Sequence, residues 1–449
     1  MYPFSIPYAA GTVATVKNGR LQHSDSCSAG PRLILRGGHV VDPKNGVDAE
    51  MDLAVLDGSI AEVSPAIRPE KGDRVVDCTG LLVFPGLMDM HLHLGDLFEV
   101  NINPIANAAA DGVAFGFSPG AGNTFMAPAL LGAEVDRGLP MNVGVYVGGA
   151  AVTGTSLSAQ ELIALFQGKL DADTASQKLT RSDITNTTAP LVMGIKEHST
   201  HYIMTDEDID LLFEVSSGAG LLLMSHTQDP THITRMLRLS KGRPFHLGHA
   251  NMVGCGSHMD AEEGMRMMLG AVDGKTVTAE FVSTTMRPSR GSRESIFMTP
   301  AAQQMAYDAL AAGKVKVLVS DGQNNATMKG GGDTRDNLPA ILELAQQGVL
   351  SLSDAVATMT SNVAQLFYQR TKNKWWTEKT GHLGVGALAN IVTVDPQDKL
   401  CCHTIVDGEI VAFENRLVPR GMGAGGFVTS FGLLKRTGVG DMTLFRVQK

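Results

Sequence analysis

The chain has 449 residues, a length that predicts roughly three domains, or one large α/β barrel with an accessory unit. Acidic residues outnumber basic ones by 46 to 37, and the formal charge of −9 excludes a nucleic-acid binder that lives on phosphate contacts. With 43% hydrophobic and 18% charged residues the composition excludes a disordered or collagen-like chain, and without a long uncharged apolar run no membrane span is expected.

Residues 1–30 show no sustained period and read as an irregular N-terminal extension. The start, MYPFSIPYAAGTVATVKNGR, lacks a basic n-region and carries Pro3 and Pro7, so no signal peptide is expected. Five scattered cysteines without CxxC spacing suit a reducing compartment, and a cytoplasmic location is expected. From Pro31 the runs LILRGGHVVDP, DLAVLDGSIAEVSP and DRVVDCTGLLVFPG are β-rich and broken by Gly, Pro and Asp. The same texture returns in NIVTVDP and HTIVDGEIVAFENRLVP. Residues 31–84 and 381–420 are therefore expected to build one small β-sandwich from both chain ends, with 421–449 as a C-terminal tail.

Residues 85–380 alternate. Apolar runs at LLVFPGLMDMHLHL, GVAFGFSPG, MNVGVYVGG, LVMGIKEH, GLLLMSHT, PFHLGHAN, VTAEFVST and KVKVLVSDG are separated by stretches of helical spacing such as DEDIDLLFEVSSGAG, DAEEGMRMMLGAV and TPAAQQMAYDALAAG. Continuous apolar runs mark buried parallel strands. Eight strand–helix alternations predict an α/β fold, a (β/α)8 TIM barrel, in preference to an open doubly wound sheet, for which no GxGxxG opens a helix. The 50 glycines suit the many tight turns. Asp206, Glu207 and Asp208 behind Thr205 read as helix-capping chemistry, and Met265, Met267 and Met268 as adaptable core.

Barrels concentrate chemistry at the C-terminal ends of their strands. Here the first expected strand ends in His91 and His93, the fourth carries Lys196, the fifth His226, the sixth His246 and His249, and the eighth Asp321. Residues two apart on a strand face the same way, so His91 and His93 project together. One buried histidine is more often a satisfied core residue, but this set at successive strand ends points to a metal site, for which neutral imidazoles and a carboxylate are good zinc ligands. Of His246 and His249, three apart, only one faces the site unless the strand ends between them; GHAN at the terminus favours His249. Lys196 is a poor ligand as an ammonium. Burial favours the neutral amine, which can take up carbon dioxide to give a carbamate, an anionic oxygen ligand able to bridge two cations. A snorkelling or ion-paired lysine is the alternative.

PGLMDMHLH after a small β-domain, GIKEH, LMSHTQD, GHANM, LVSDG, MTSNVAQLF and GHLGVGALANIVTVDP together resemble the amidohydrolase superfamily, in its dinuclear branch of dihydroorotases, hydantoinases, allantoinases and isoaspartyl dipeptidases, over about residues 31–420. The resemblance implies two divalent metal ions, zinc foremost. His91 and His93 would hold the first, His226 and His249 the second, carboxylated Lys196 would bridge them, and Asp321 would ligate the first and act as general acid/base. It implies hydrolysis of an amide-type C–N bond in a cyclic amide (imide, hydantoin or lactam). N-acyl amino acid deacylase, dipeptidase or esterase activity is the alternative, with deamination and a non-enzymatic scaffold further behind. A small-molecule substrate and a homo-oligomer, dimer or tetramer, are implied as well.

Dihydroorotases of this kind carry an arginine directly after HxHL. This chain has Gly95 there, which disfavours dihydroorotate. Hydantoinases carry an oxyanion-donating tyrosine five residues past the bridging lysine; here His201 stands at that offset and Tyr202 follows, and either can serve as a catalytic donor. Asn123 after the second strand and Arg287 after the seventh are expected substrate contacts, a bidentate arginine suiting a carboxylate, with Arg290 expected on the solvated surface. The Gly/Asn-rich QNNATMKGGGDTRDN segment reads as a loop over the barrel mouth, and His198 as a residue lining it.

Overall fold

Continuous apolar runs leave a strand no solvent-facing side, and all eight expected runs in residues 85–380 form buried strands: β1 (Leu87–Asp89), β2 (Val113–Ser118), β3 (Asn142–Gly148), β4 (Gly194–Glu197), β5 (Leu222–His226), β6 (Phe245–Gly248), β7 (Val277–Val282) and β8 (Val317–Val319). The computed structural model describes residues 14–17, 20–23, 31–94, 102–120, 122–199, 204–292, 296–322 and 331–439. Each barrel strand pairs in parallel with the next, in chain order.

The seam between β8 and β1 has no regular ladder. One parallel bridge, Leu92 to Gly322, spans it, and the His93 N–H donates to the Gly322 carbonyl at 3.1 Å. The buried Asp89 carboxylate adds a strap, accepting the Ser320 N–H at 3.2 Å and the Asn337 amide at 3.3 Å. Burial pushes this carboxyl up to about 7. The segment carrying the twin histidines thus also closes the barrel.

Helices separate most of the strands, with the local signals their sequences offer. The helix Asp206–Ala219 starts on a capping box between Thr205 and Asp208 and stops at the left-handed Gly220. In Ala261–Ala271, Met265 and Met268 are buried core. No helix among the described residues is long and apolar enough to cross a membrane.

Strands from both chain ends form a separate mixed sheet. Leu82–Pro85 is its junction: it pairs in parallel with Leu33–Asp42 and antiparallel with Ile391–Asp395. Val47–Leu56 and Ser59–Ser64 extend one side, and Leu400–Val406, Glu409–Phe413 and Arg416–Leu417 the other. The inner faces supply their own apolar cluster, with Leu33, Val40, Leu53 and Val83 against Ile391 and Ile405.

The expected extension and tail contain short pairings. Ala14–Lys17 and Arg20–His23 form an antiparallel hairpin within the N-terminal extension. Within the expected tail, Phe427–Thr429 and Gly432–Leu434 form a second hairpin that wedges beside β3: the Val143 N–H donates to the Gly426 carbonyl at 2.9 Å, and the Ser430 N–H to the Val192 carbonyl at 3.3 Å. β4 is only four residues long, and the hairpin satisfies backbone groups below it.

Candidate metal centre

Strand alternation decides what faces the barrel interior. Lys196, Met224, His246 and Thr278 are register partners across β4 to β7 and share a face. Two residues further along β5 and β6, His226 pairs with Gly248. The missing side chain of Gly248 leaves a cradle: a Cβ there would stand 3.1 Å from Lys196 Nζ and 3.3 Å from the His91 ring. Lys196 is only 2% exposed.

β6 ends at Gly248, and His249 follows in left-handed backbone with φ 39°. The strand therefore ends between the two histidines, and both turn inward. The roles differ. His246 is engaged by Thr278 and Glu280, whereas the His249 Nε2 faces His226 Nδ1 at 2.9 Å, and its Nδ1 is buried without a hydrogen-bond partner among the described residues. Asp321, just past β8, also has a positive φ, 47°. Two left-handed non-glycine residues, past the ends of β6 and β8, mark strain of the kind functional sites retain.

His91, His93 and Asp321 converge, with one ligand atom of each lying within 4.8 Å of the others. Asp321 Oδ1 stands 3.3 Å from His91 Nε2 and 3.3 Å from His93 Nε2, and its Oδ2 accepts the Gly331 N–H at 2.7 Å. Two ligands sharing a tetrahedral zinc at 2.0–2.1 Å stand about 3.3 Å apart, so the donor spacing fits such an ion. Charges fit as well. Burial holds His91 below its ordinary pKa, His226 well below it, and pushes His249 down to about 3, so all three favour the neutral, ligating form. Burial alone would raise Asp321; positive charge beside it and the hydrogen bond from His93 lower its carboxyl. His198 stacks on His226 at 4.0 Å between ring centroids.

The other expected site residues divide. Asn123 is buried; its amide N–H donates to the Tyr146 carbonyl at 3.1 Å, and its Oδ1 has no hydrogen-bond partner among the described residues. His201, Tyr202, Gly95 and most of the Gly/Asn-rich loop lie outside the described residues. Arg287 is held by the protein's own carboxylates. Its guanidinium is engaged by Asp336 and by both oxygens of Glu343, at 3.0 and 2.9 Å, so its fork is filled by the protein rather than open to a substrate carboxylate. Arg290 also pairs with Asp336, at 3.0 Å. Asp336 is only 1% exposed, so Arg287→Ala is expected to cost about 2–3 kcal/mol by leaving a buried charge underpaired, with Arg290 limiting the loss. Urea unfolding against unchanged KM checks this.

Three buried carboxylates near the site were given no role in the sequence reading. Besides Asp89, Glu197 accepts from Ser225 at 2.6 Å and His232 at 3.0 Å, and also holds Ser199. Glu280 contacts His91 and His246. Burial pushes Glu280 up, yet the two histidines outweigh it and hold it low. The available sign of each is a lone acidic residue inside an otherwise apolar strand, a costly placement unless it is hydrogen-bonded.

A parallel eight-strand barrel with a buried His–His–Asp cluster at its strand ends, flanked by a sheet from both chain ends, defines a barrel hydrolase with a candidate metal site. Residues 82–421 match the amidohydrolase family, and the chain belongs to it. The chain is 25% identical over 401 residues to a dihydroorotase of Geobacter sp. (strain M21), covering 81% of this chain and 89% of that one. A dihydroorotase of Geobacter sulfurreducens is 26% identical over 377 residues, covering 74% and 84%. Among solved structures, a D-hydantoinase superposes with a TM-score of 0.66 at 17% identity, covering 91% of this chain and all of that one. L-Hydantoinase (dihydropyrimidinase) from Arthrobacter aurescens gives 0.63 at 17%, covering 88% and 99%.

Proposed function

We propose that this amidohydrolase opens a ring at an amide-type C–N bond, in an imide, hydantoin or lactam, with two divalent cations. The observation that carries the reading is the Asp321 oxygen standing 3.3 Å from both His91 and His93 in a buried site. His91, His93 and Asp321 would hold one cation and His226 and His249 the other, zinc being the first choice for these nitrogen and oxygen donors. Lys196, carboxylated by carbon dioxide, would supply the oxygen ligand shared by both. When bound, such ions polarise a carbonyl and lower the pKa of water to about 7.

The chain's own residues handle the protons. The Gly331 N–H fixes Asp321 Oδ2, which orients the carboxylate toward the histidines. The carboxylate accepts a proton from the attacking water as the C–O bond forms and returns it to the ring nitrogen as the C–N bond breaks. Asn123 Oδ1 offers an acceptor for a substrate N–H, and His201 or Tyr202 a donor to the developing oxyanion. Gly95 in place of an arginine argues for a ring without dihydroorotate's carboxylate. A homo-oligomer in the cytoplasm completes the proposal.

The purified chain is expected to contain near two divalent ions, to lose activity to a chelator and to regain it with zinc. It is expected to open hydantoin, dihydrouracil or succinimide in preference to N-acetyl amino acids, β-aspartyl dipeptides and aryl esters. Full activity with no metal by elemental analysis, or cleavage of acyclic substrates alone, would overturn the proposal.

A further inference from the structure

A single polar chain runs through the barrel interior behind the candidate ligands. Glu280 is wholly buried on β7, and its Oε1 meets His91 Nδ1 and the backbone N–H of His249, the latter at 3.1 Å. Its Oε2 lies 3.0 Å from His246 Nε2. His246 Nδ1 lies 2.8 Å from the Thr278 hydroxyl, whose oxygen accepts from the Arg370 guanidinium at 3.0 Å. A guanidinium only donates and a carboxylate only accepts, and a neutral imidazole does one of each. With His246 neutral, the carboxylate end makes its Nε2 the donor and leaves its Nδ1 as the acceptor for the Thr278 hydroxyl, which also has the Phe245 carbonyl at 3.5 Å. Arg370 donates to Thr278, Thr278 to His246 Nδ1, His246 Nε2–H to Glu280, and His91 Nδ1–H to Glu280. The His91 lone pair is then on Nε2, the atom 3.3 Å from Asp321 Oδ1. A lone pair facing a carboxylate oxygen at that range repels it unless a cation stands between them.

We propose that Glu280 is a positioning residue: it fixes the tautomer and tilt of His91 and the backbone of His249, and is itself held by His246, Thr278 and Arg370. This rests on the reading of the site as a metal centre. Among the described residues no other side chain joins the His91 ring, just past β1, to the backbone of His249, just past β6, and both contacts use one oxygen of one carboxylate. Carboxylates behind metal-bound histidines typically change metal affinity by 10–100-fold when removed.

The test is metal binding by the full-length chain, stripped of metal and titrated with cobalt(II) against a chromophoric chelator, with the visible spectrum recorded. Glu280→Gln keeps the shape but presents an amide N–H to one of two imidazole N–H groups. It is expected to bind cobalt about 10–100-fold more weakly, with a changed spectrum, and Glu280→Asp to recover part of both. Should Glu280→Gln fail to fold, Thr278→Val releases His246 from the far end of the chain and is expected to weaken binding by about threefold or more. Wild-type affinity and spectrum in the variants that fold would overturn the proposal, even if they melt earlier without metal, since that is a structural role. A wild-type chain that binds no cobalt would instead overturn the metal reading, and this inference with it.

Discussion

Asp321→Asn is expected to lower kcat/KM by about 10²–10⁴-fold, the usual worth of general acid–base help, with the loss in kcat rather than KM. The substitution is chosen for its backbone. Asp321 has φ 47°, a region that asparagine tolerates and most other side chains do not, so the amide replaces the carboxylate with little strain. What changes is the charge and the proton. An amide cannot accept the proton from attacking water, and the neutral group holds a cation less firmly between His91 and His93, each 3.3 Å from the carboxylate oxygen. The Gly331 N–H at 2.7 Å still finds an acceptor in the amide oxygen, which fixes that oxygen away from the histidines and turns the NH2 group toward them. Steady-state kinetics at saturating zinc, with metal content measured on the same samples, separate proton transfer from ligand loss. Full activity in metal-replete Asp321→Asn would remove the general-base role.

The fold was legible because its signals are local or periodic. Eight apolar runs read as buried strands and formed them, and the β-rich flanks joined through Leu82–Pro85 and Ile391–Asp395. Two hairpins escaped because Phe427–Thr429 and Gly432–Leu434 are three residues each, and Ala14–Lys17 and Arg20–His23 four, too short for any period to register. In the site, His91 and His93 lie together as their spacing of two predicts, but it was the ordered set at successive strand ends that pointed to a site. The choice between His246 and His249 turned on one left-handed residue at a strand end, which no side-chain pattern marks. Arg287 looked open because its partners Asp336 and Glu343 lie 49 and 56 residues away in sequence. Glu280 is a single acid in VTAEFV, and its partners His91 and His246 come from the segment past β1 and from β6. Long-range polar pairing was the part the sequence did not spell out.

Lys196→Ala is expected to reduce bound metal from near two ions to one or fewer and to lower kcat/KM by roughly 10³-fold or more, a loss of several kcal/mol of charge stabilisation. The lysine stands behind the Gly248 cradle beside His91, 2% exposed, so its truncation leaves a buried space where an anionic oxygen ligand is proposed. Two alternatives make opposite forecasts. If Lys196 is an ordinary buried ammonium, removing a cation from between His91 and His226 should leave metal binding intact or strengthen it, since like charges no longer repel. If it is a carbamate, the variant loses the one ligand shared by both ions, and a short carboxylic acid such as acetate or propionate should enter the vacated space and restore part of the activity. The wild-type chain supplies the second arm: reconstitution with zinc should be slow in buffer scrubbed of carbon dioxide and fast with bicarbonate added. Two ions retained in Lys196→Ala would exclude the bridging role, and equal reconstitution with and without bicarbonate would exclude the carbamate.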